Sequence, residues 1–346
     1  VGKLLPKNPS DIIWLSTGFI GDVILTTAGT ELAAKMFPKI RQHIITTPLG
    51  LKALAHARGL TSLVAFDKRS KTSLQAFKDV KIGISKHLEP SKTVMLQVHR
   101  SFRSTLLTRY LGFPTVTYHE TDFAFLAQEK VTRVAVFHES ARISLLLEPF
   151  GVDRKSIQFA KPYLEADTLR SEIAMVLEGN VKSWVAVAPG SVWGTKRWTT
   201  DGFILLIKMI LKEGHGVVLL GSKAEEEVAS DIFKSIEKTD ALKNLVGVTT
   251  LEDLPGLFKR CRLLVSNDSS PIHFASAVNL PTVGVFGATI PAMGFGPTAD
   301  QSKSVGVALA CRPCSDHGPM VCPLGHFRCM KELSAEMVFA KVKSLL

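Results

Sequence analysis

Short apolar runs recur along this chain, and most are followed by a stretch with helical patterning. DIIWLST (11–17), HIITT (43–47), LTSLVAF (60–66) and TVMLQV (93–98) read as strands. Helical segments lie between them, at Asp22 to Phe37, near 50–58, and at Ser104 to Leu111. The alternation then recurs with different residues. WVAVAP (184–189), GVVLLG (216–221), NLVG (244–247), RLLVSND (262–268) and TVGVFG (282–287) are separated by helical patterns at 200–213, 224–236, 251–261 and 271–278. Apolar strands alternating with helices predict parallel sheets. The fold class is therefore α/β, with two doubly wound units joined near 160–180. We place the boundary at 165/166, with a C-terminal helix over 331–346.

A chain of 346 residues suits two such units. The uncharged stretch 280–298 is broken by prolines and glycines and cannot form a spanning helix. The N-terminal segment VGKLLPKNPSD has no apolar run of signal-peptide length, so the expected compartment is the cytoplasm. The formal charge of +11 is concentrated in one half. Residues 1–165 carry 23 Lys/Arg against 13 Asp/Glu, and residues 166–346 carry 19 against 18. The basic half implies an anionic partner or a surface biased for solubility.

Ligands in open parallel sheets bind beyond the C-terminal ends of the strands, so the loops after strands carry the search. Thr17-Gly18-Phe19-Ile20-Gly21-Asp22 follows the first strand. Gly18 and Gly21 permit close backbone approach to a ligand, but the pattern is not G-x-G-x-x-G, and no acidic residue follows the second strand. Asp22 reads either as a helix cap or as a carboxylate able to accept a proton. The loop at 188–198 places Ser191, Lys196 and Arg197 between or beside two tryptophans, as a phosphate site or a Trp-anchored surface loop. After the strand at 216–221, Glu225 and Glu226 read either as surface charge at a helix start or as acceptors for ribose hydroxyls. Asp268, Ser269 and Ser270 open a short helix as an anion cradle, with His273 one turn further on.

Taken with His99-Arg100-Ser101-Phe102-Arg103-Ser104, His138-Glu139, Arg142, and Phe286-Gly287-Ala288-Thr289 before Pro291 and Gly296-Pro297, these segments resemble glycosyltransferase family 9. That is the heptosyltransferase family of lipopolysaccharide inner-core assembly. The resemblance runs along nearly the whole chain. Lys196-Arg197-Trp198 and Asn267 to His273 are similar to its donor-site motifs. The chain departs from the pattern at Ser269-Ser270, where the family more often has Thr-Gly. The Lys-Arg-Trp loop and the Cys-rich end lean towards the second-heptose type.

The resemblance implies a GT-B fold, two Rossmann-like domains facing a central cleft, with the acceptor in the first domain and the nucleotide sugar in the second. It also implies that the last helix packs back on the first domain. The implied donor is ADP-heptose and the implied acceptor an anionic Kdo- or heptose-bearing lipid A core. Transfer would invert the anomeric centre, with Asp22 as general base. Ser191, Lys196, Asp268, Ser269, Ser270 and His273 would hold the departing diphosphate, and Glu225 the ribose. Arg100 and Arg103 are the candidates for acceptor anions, followed by Lys68, Arg69 and Lys71. The chain has no D-x-D, so a metal is not implied and no cofactor is required. The basic half would meet phosphorylated lipid by peripheral contact at the cytoplasmic face of the inner membrane.

Five cysteines remain. Cys261 reads as core. Cys311, Cys314, Cys322 and Cys329 form C-x2-C-x7-C-x6-C, whose spacing admits zinc, reduced thiols or a disulfide; reduced thiols are the expectation for a cytoplasmic chain. Two other function classes are open: a transferase of the same fold using another nucleotide sugar, and a nucleic-acid binder. With three Tyr and four Trp the chain offers no evident stacking platform, so no nucleic-acid partner is expected.

Overall fold

The structure is a computed structural model describing residues 4–69, 72–84 and 88–346. Lys71 lies outside the described residues. The chain divides into two compact units, Val1–Leu164 and Glu165–Leu346.

The first unit runs β1 (Asp11–Ser16), α1 (Ile20–Met36), β2 (Arg41–Thr46), α2 (Pro48–Ala53), β3 (Ser62–Ala65) and α3 (Ser73–Ile84). It continues with β4 (Thr93–Gln97), α4 (Phe102–Leu111), β5 (Thr115–Tyr118), β6 (Glu129–Val131), α5 (Glu139–Ser144) and α6 (Arg154–Gln158). Its strands lie in the order β3-β2-β1-β4-β5-β6 and all pair in parallel. The second unit runs α7 (Ser171–Val176), β7 (Trp184–Ala188), α8 (Thr200–Lys212), β8 (Gly216–Leu219), α9 (Glu226–Lys234) and β9 (Leu242–Asn244). Then come α10 (Leu254–Lys259), β10 (Cys261–Asn267), α11 (Pro271–Ala277), β11 (Thr282–Val285), β12 (Lys303–Val305), α12 (Arg328–Lys331) and α13 (Ala335–Lys343). Its order, β9-β8-β7-β10-β11-β12, repeats that of the first sheet. Both are α/β sheets of Rossmann strand order, so in each unit the chain reverses direction across the sheet beside the first strand. That switch lies between β1 and β4 in one unit and between β7 and β10 in the other.

Several elements escape the sequence pattern. β6 and β12 are three-residue edges, too short to show a period. The four-residue β5, the helix α3 and the single-turn helices α5, α6 and α7 also carry no clear signal. The run at 244–247 is out of register, since the strand is Leu242–Asn244 and the apolar Leu245 and Val246 lie beyond its end. Cys261 is buried as expected, but it starts β10 rather than ending a helix.

The C-terminal helix is part of the second unit's core. Val338, Phe339, Val342 and Leu345 join Phe203, Leu206 and Ile207 of α8 and Val283 and Val285 of β11 in the second unit's core. The apolar face of α8 needs a cover, and α13, the last helix of the same unit, supplies it.

At the opposite end of the first sheet from the loop that carries Asp22, the buried Asp11 ties three strands together. Its Oδ2 accepts from Arg41 Nη2 (2.8 Å) and Ser10 Oγ (2.6 Å), and its Oδ1 lies 3.0 Å from His43 Nε2. His43 Nδ1 in turn lies 2.8 Å from Ser62 Oγ. Burial pushes the Asp11 carboxyl up, but the hydrogen bonds from Arg41, Ser10 and His43 outweigh it and hold the group below its ordinary value. A depressed carboxyl stabilises the fold above its unfolded pKa, and that contribution is lost as pH falls through the lower folded value. Asp11→Asn should therefore cost about 1–3 kcal/mol at pH 7 in urea melts. The difference from the unsubstituted protein should shrink below about pH 4. An unchanged difference at about pH 3 would show that the charge is not the source.

Candidate functional site

In the first unit the loops after β1 and β4 are neighbours, because these strands pair directly. Phe19 is the N-cap of α1 and Asp22 lies in its first turn. The Asp22 Oδ2 accepts from the Phe19 N–H at 3.2 Å, so the carboxylate does cap the helix. It is partly buried. Burial, reinforced by the charge of Glu139, pushes its carboxyl up to about 7 against the opposing effects of the Phe19 hydrogen bond, Arg133 and Arg100. A Cβ at Gly18 would stand 2.8 Å from Asp22 Oδ2. Gly18 is thus required by this carboxylate, and Gly21 lies within the first turn itself.

Glu139 opens α5, which packs along α1. Its Oε2 accepts from Arg133 Nη2 (2.5 Å) and Arg142 Nη1 (3.1 Å). Its charge is the second cause, after burial, of the raised Asp22 pKa. The motif that holds Glu139 and Arg142 gives no sign of their bearing on Asp22, and Arg133 lies outside every motif. No local signal exists for it, because the contact joins elements more than a hundred residues apart.

His99 is the second residue whose role the sequence does not show. Thr17 Oγ1, Ser101 Oγ and Ser104 Oγ each lie 3.1 Å from its Nδ1, fastening the β4 loop to the β1 loop. Burial, with Lys68 and Arg100 nearby, drives its pKa down to about 4, so it is a neutral bracket at physiological pH. Arg100 and Arg103 are exposed at the start of α4. Lys68 is more tied down than expected. Its Nζ donates to the Thr17 carbonyl at 2.8 Å, and its carbonyl accepts from Arg103 Nη1 at 3.4 Å. Burial and the neighbouring Arg103 and Arg69 lower its pKa. Arg69 is exposed.

In the second unit the equivalent strand pair, β7 and β10, brings the 188–198 loop against the 266–270 loop. Asn267 joins them: its Oδ1 accepts from the Trp198 N–H (3.1 Å) and its Nδ2 donates to the Pro189 carbonyl (2.6 Å). Lys196 Nζ meets Asp268 Oδ2 at 2.6 Å, with side-chain exposures of only 12% and 6%. Thr289 Oγ1 donates to the same oxygen at 2.5 Å. Its motif alone gives Thr289 no role, since Asp268 is 21 residues away. The Ser191 side is held by Arg197, whose Nε donates to the Ser191 carbonyl at 2.6 Å.

Glu225 reaches the same loops. A Cβ at Gly190 would collide with Glu225 Cγ, so the side chain lies directly over the loop that follows β7. Its Oε2 already accepts from the Ser222 N–H (2.7 Å) and Ser222 Oγ (2.6 Å). Glu226 points elsewhere, towards Gly247. Ser269 Oγ donates to the Asn267 carbonyl at 3.2 Å, and Ser270 is the N-cap of α11 without a side-chain cap bond. His273 is buried in α11, with its ring edge-on to Phe295 at 6.3 Å.

The Cys-rich segment packs over the lysine loop. Trp193 stacks on His317 at 6.2 Å, and Thr195 Oγ1 donates to the Pro319 carbonyl at 2.5 Å. Trp198 is not a surface anchor: it is buried, and its Nε1 donates to the Leu333 carbonyl at 2.9 Å. The five cysteines are free thiols. Backbone N–H groups of Phe327, Leu324, Gly325 and His326 lower the Cys322 pKa. Among the described residues no group of three or more His, Cys, Asp or Glu side chains is placed to hold a metal ion.

The family model of glycosyltransferase family 9 (heptosyltransferase) matches residues 85–323, spanning parts of both units. The chain belongs to glycosyltransferase family 9. Lipooligosaccharide heptosyltransferase 2 of Campylobacter jejuni is 32% identical over 170 residues, covering 48% of this chain and 52% of that protein. The chain thus spans about half the length of the curated relatives it matches. A family 9 glycosyltransferase from Veillonella parvula has the same fold, with a TM-score of 0.81 at 19% identity over 99% of this chain and 98% of its own. The structure of E. coli ADP-heptose lps heptosyltransferase II gives 0.77 at 17% identity over 97% and 98%. As a family 9 member, the chain carries its Asp22, His99, Lys196 and Asp268 motifs on the switch-point loops of two Rossmann-type sheets.

Proposed function

We propose that the chain is an inverting heptosyltransferase moving L-glycero-D-manno-heptose from ADP-heptose to the anionic inner core of lipopolysaccharide. Asp22 carries the reading. It is a carboxylate at a switch-point loop, its proton affinity raised by burial and Glu139 to about 7, where a base works best at neutral pH. The names of the relatives support heptose as the sugar and ADP-heptose as the donor.

In this reading the acceptor hydroxyl oxygen attacks the anomeric carbon, Asp22 takes the hydroxyl proton, and the bond from that carbon to the diphosphate oxygen breaks. Lys196, fixed on Asp268, meets the charge that develops on the leaving ADP. Ser191, Ser269, Ser270 and His273 complete the donor loops. Glu225 has its Oε1 left for the ribose, since Oε2 caps Ser222. Arg100 and Arg103 bind acceptor phosphates or carboxylates, with Lys68 and Arg69 beside them. Among the described residues no helix is long and apolar enough to cross a membrane. The proposed location is the cytoplasm, peripheral to the inner membrane.

Transfer assays with a panel of nucleotide sugars and Kdo- or heptose-bearing acceptors test this. ADP-heptose should be turned over at least about a hundredfold faster than UDP- or GDP-sugars, a gap a polar recognition site can supply. Turnover of another sugar nucleotide in its place would overturn the donor. Arg100→Ala and Arg103→Ala should each raise the acceptor KM about tenfold and leave ADP affinity within about twofold, as loss of one charge-assisted contact predicts. Equal losses on both sides would refute the assignment of the acceptor to the first unit.

A further inference from the structure

We propose that Phe102, Phe123 and Phe125 form a membrane-insertion ridge that seats the first unit on an anionic bilayer beside its acceptor-binding arginines. The inference rests on the acceptor side lying in that unit. The three rings are 47%, 49% and 73% exposed. They are contiguous, with centroids 5.0 Å apart from Phe102 to Phe123 and 5.8 Å from Phe123 to Phe125. Scattered apolar side chains at a surface are ordinary, but a run of touching aromatic rings marks an interaction site.

The backbone is strained to present them. Phe123 has φ 57°, a left-handed conformation that disfavours a bulky residue. It opens a single turn at Ala124–Leu126 that projects Phe125 outward. Backbone strain of this kind concentrates at functional sites. The ridge also borders an open cavity of about 490 Å³ lined by His119, Thr121, Ala124 and Lys130 along with Phe123 and Phe125.

Position and charge select the occupant. Asp122 ties the ridge to the first turn of α4: its Oδ2 accepts from the Phe102 N–H (2.9 Å), and its own N–H donates to the Arg100 carbonyl (3.0 Å). Phe102 therefore stands between Arg100 and Arg103 in sequence and is rigidly fixed beside them. An acceptor held by those arginines has its lipid end in a bilayer, and the ridge is fastened beside the same arginines. Residues 1–164 carry 23 Lys/Arg against 12 Asp/Glu, whereas 165–346 carry 19 of each. The whole positive excess thus belongs to the unit with the ridge. Glu120, Asp122 and Glu129 are exposed on the same stretch, so the ridge is not itself a cationic patch. The basic unit supplies the long-range attraction to anionic headgroups, and the rings supply insertion into the headgroup–acyl boundary.

The test is co-sedimentation of the full chain with vesicles of phosphatidylethanolamine and phosphatidylglycerol, at low and high salt. The comparison is the double variant Phe123→Asn with Phe125→Ser. Asn tolerates the left-handed backbone, so the turn is retained. The unsubstituted chain should bind the vesicles and keep part of that binding at high salt. The double variant should lose the salt-resistant part by at least about tenfold, as removal of two inserted rings predicts. Its transfer to a lipid-free acceptor fragment should be unchanged. Equal binding by both proteins, or no binding by either, would overturn the proposal. So would a ring-dependent dimer in sedimentation equilibrium without lipid, which would make the ridge a contact between copies. Vesicle binding needs no sugar nucleotide, so failed heptose transfer with intact ring-dependent binding counts against the proposed reaction alone.

Discussion

Asp22→Asn should reduce kcat by about 10²–10⁴-fold, the range for loss of a positioned general base, with ADP affinity nearly unchanged. The variant keeps its fold for a local reason. The asparagine side-chain oxygen can still accept the Phe19 N–H that Asp22 Oδ2 accepts at 3.2 Å, so the cap of α1 survives. The pH dependence gives a second, independent reading. The base must be ionised, so with the carboxyl pushed up to about 7 the rate should rise about tenfold per pH unit below 7 and level above it.

Stability moves the other way. The folded carboxyl has a higher pKa than the unfolded one, so the folded state holds the proton more tightly. Asp22 is therefore favourable to the fold only when protonated, and stability falls as pH rises from the unfolded value near 4 through the folded value near 7. Asn carries no charge to desolvate, and the Asp22→Asn protein should have a Tm at about pH 8 equal to or above that of the unsubstituted protein. Near-normal turnover would sink the catalytic role. A marked fall in Tm at about pH 8 would show that burial and Glu139 do not strain this carboxylate.

The second large effect is expected at Lys196. Lys196→Met should weaken ADP binding and lower kcat by about 10²–10³-fold, as for removal of one preorganised charge facing a leaving group. It should also destabilise the second unit. Asp268, 6% exposed, loses its cation and keeps the Thr289 hydroxyl at 2.5 Å. Breaking one side of such a pair costs about 3–5 kcal/mol. The companion Lys196→Met with Asp268→Asn separates the two effects. With no buried charge left unpaired, the double variant should recover most of the lost stability in urea melts. ADP binding by calorimetry should stay lost. Recovery of ADP binding together with stability would reduce Lys196 to a structural partner of Asp268.

Several of the residues in these predictions are legible in the amino-acid sequence alone. Gly18, Asp22, Lys196 and Asp268 stand out because glycines, hydroxyls and charges directly after an apolar strand are costly to place there without a ligand or a cap. Whatever depends on partners distant in sequence is not legible in the same way. Glu225 has the pattern of surface charge, because its approach to Gly190 crosses from one loop to another. Lys68 has the pattern of a free cation, because its bond to the Thr17 carbonyl spans 51 residues. Trp198 has the pattern of a loop anchor, because its bond to the Leu333 carbonyl spans 135. The partner of the C-terminal helix in the second unit's core is not legible either, because an amphipathic face states that it is covered, not by what.

The chain's own periodicity determined that it folds as parallel strands alternating with helices, and its loops determined which residue types stand at the strand ends. Those are local properties, set by side-chain spacing and backbone preference. Strand order is not local. Only the tertiary structure decided that β1 lies against β4 and β7 against β10, because any parallel order satisfies the same hydrophobic pattern. That choice brings the Asp22 loop against His99, sets Lys196 on Asp268, and leaves Glu139 near enough to Asp22 to raise its pKa. The sequence supplied the carboxylate; burial, joined by the charge of Glu139 on α5, raised its pKa to about 7.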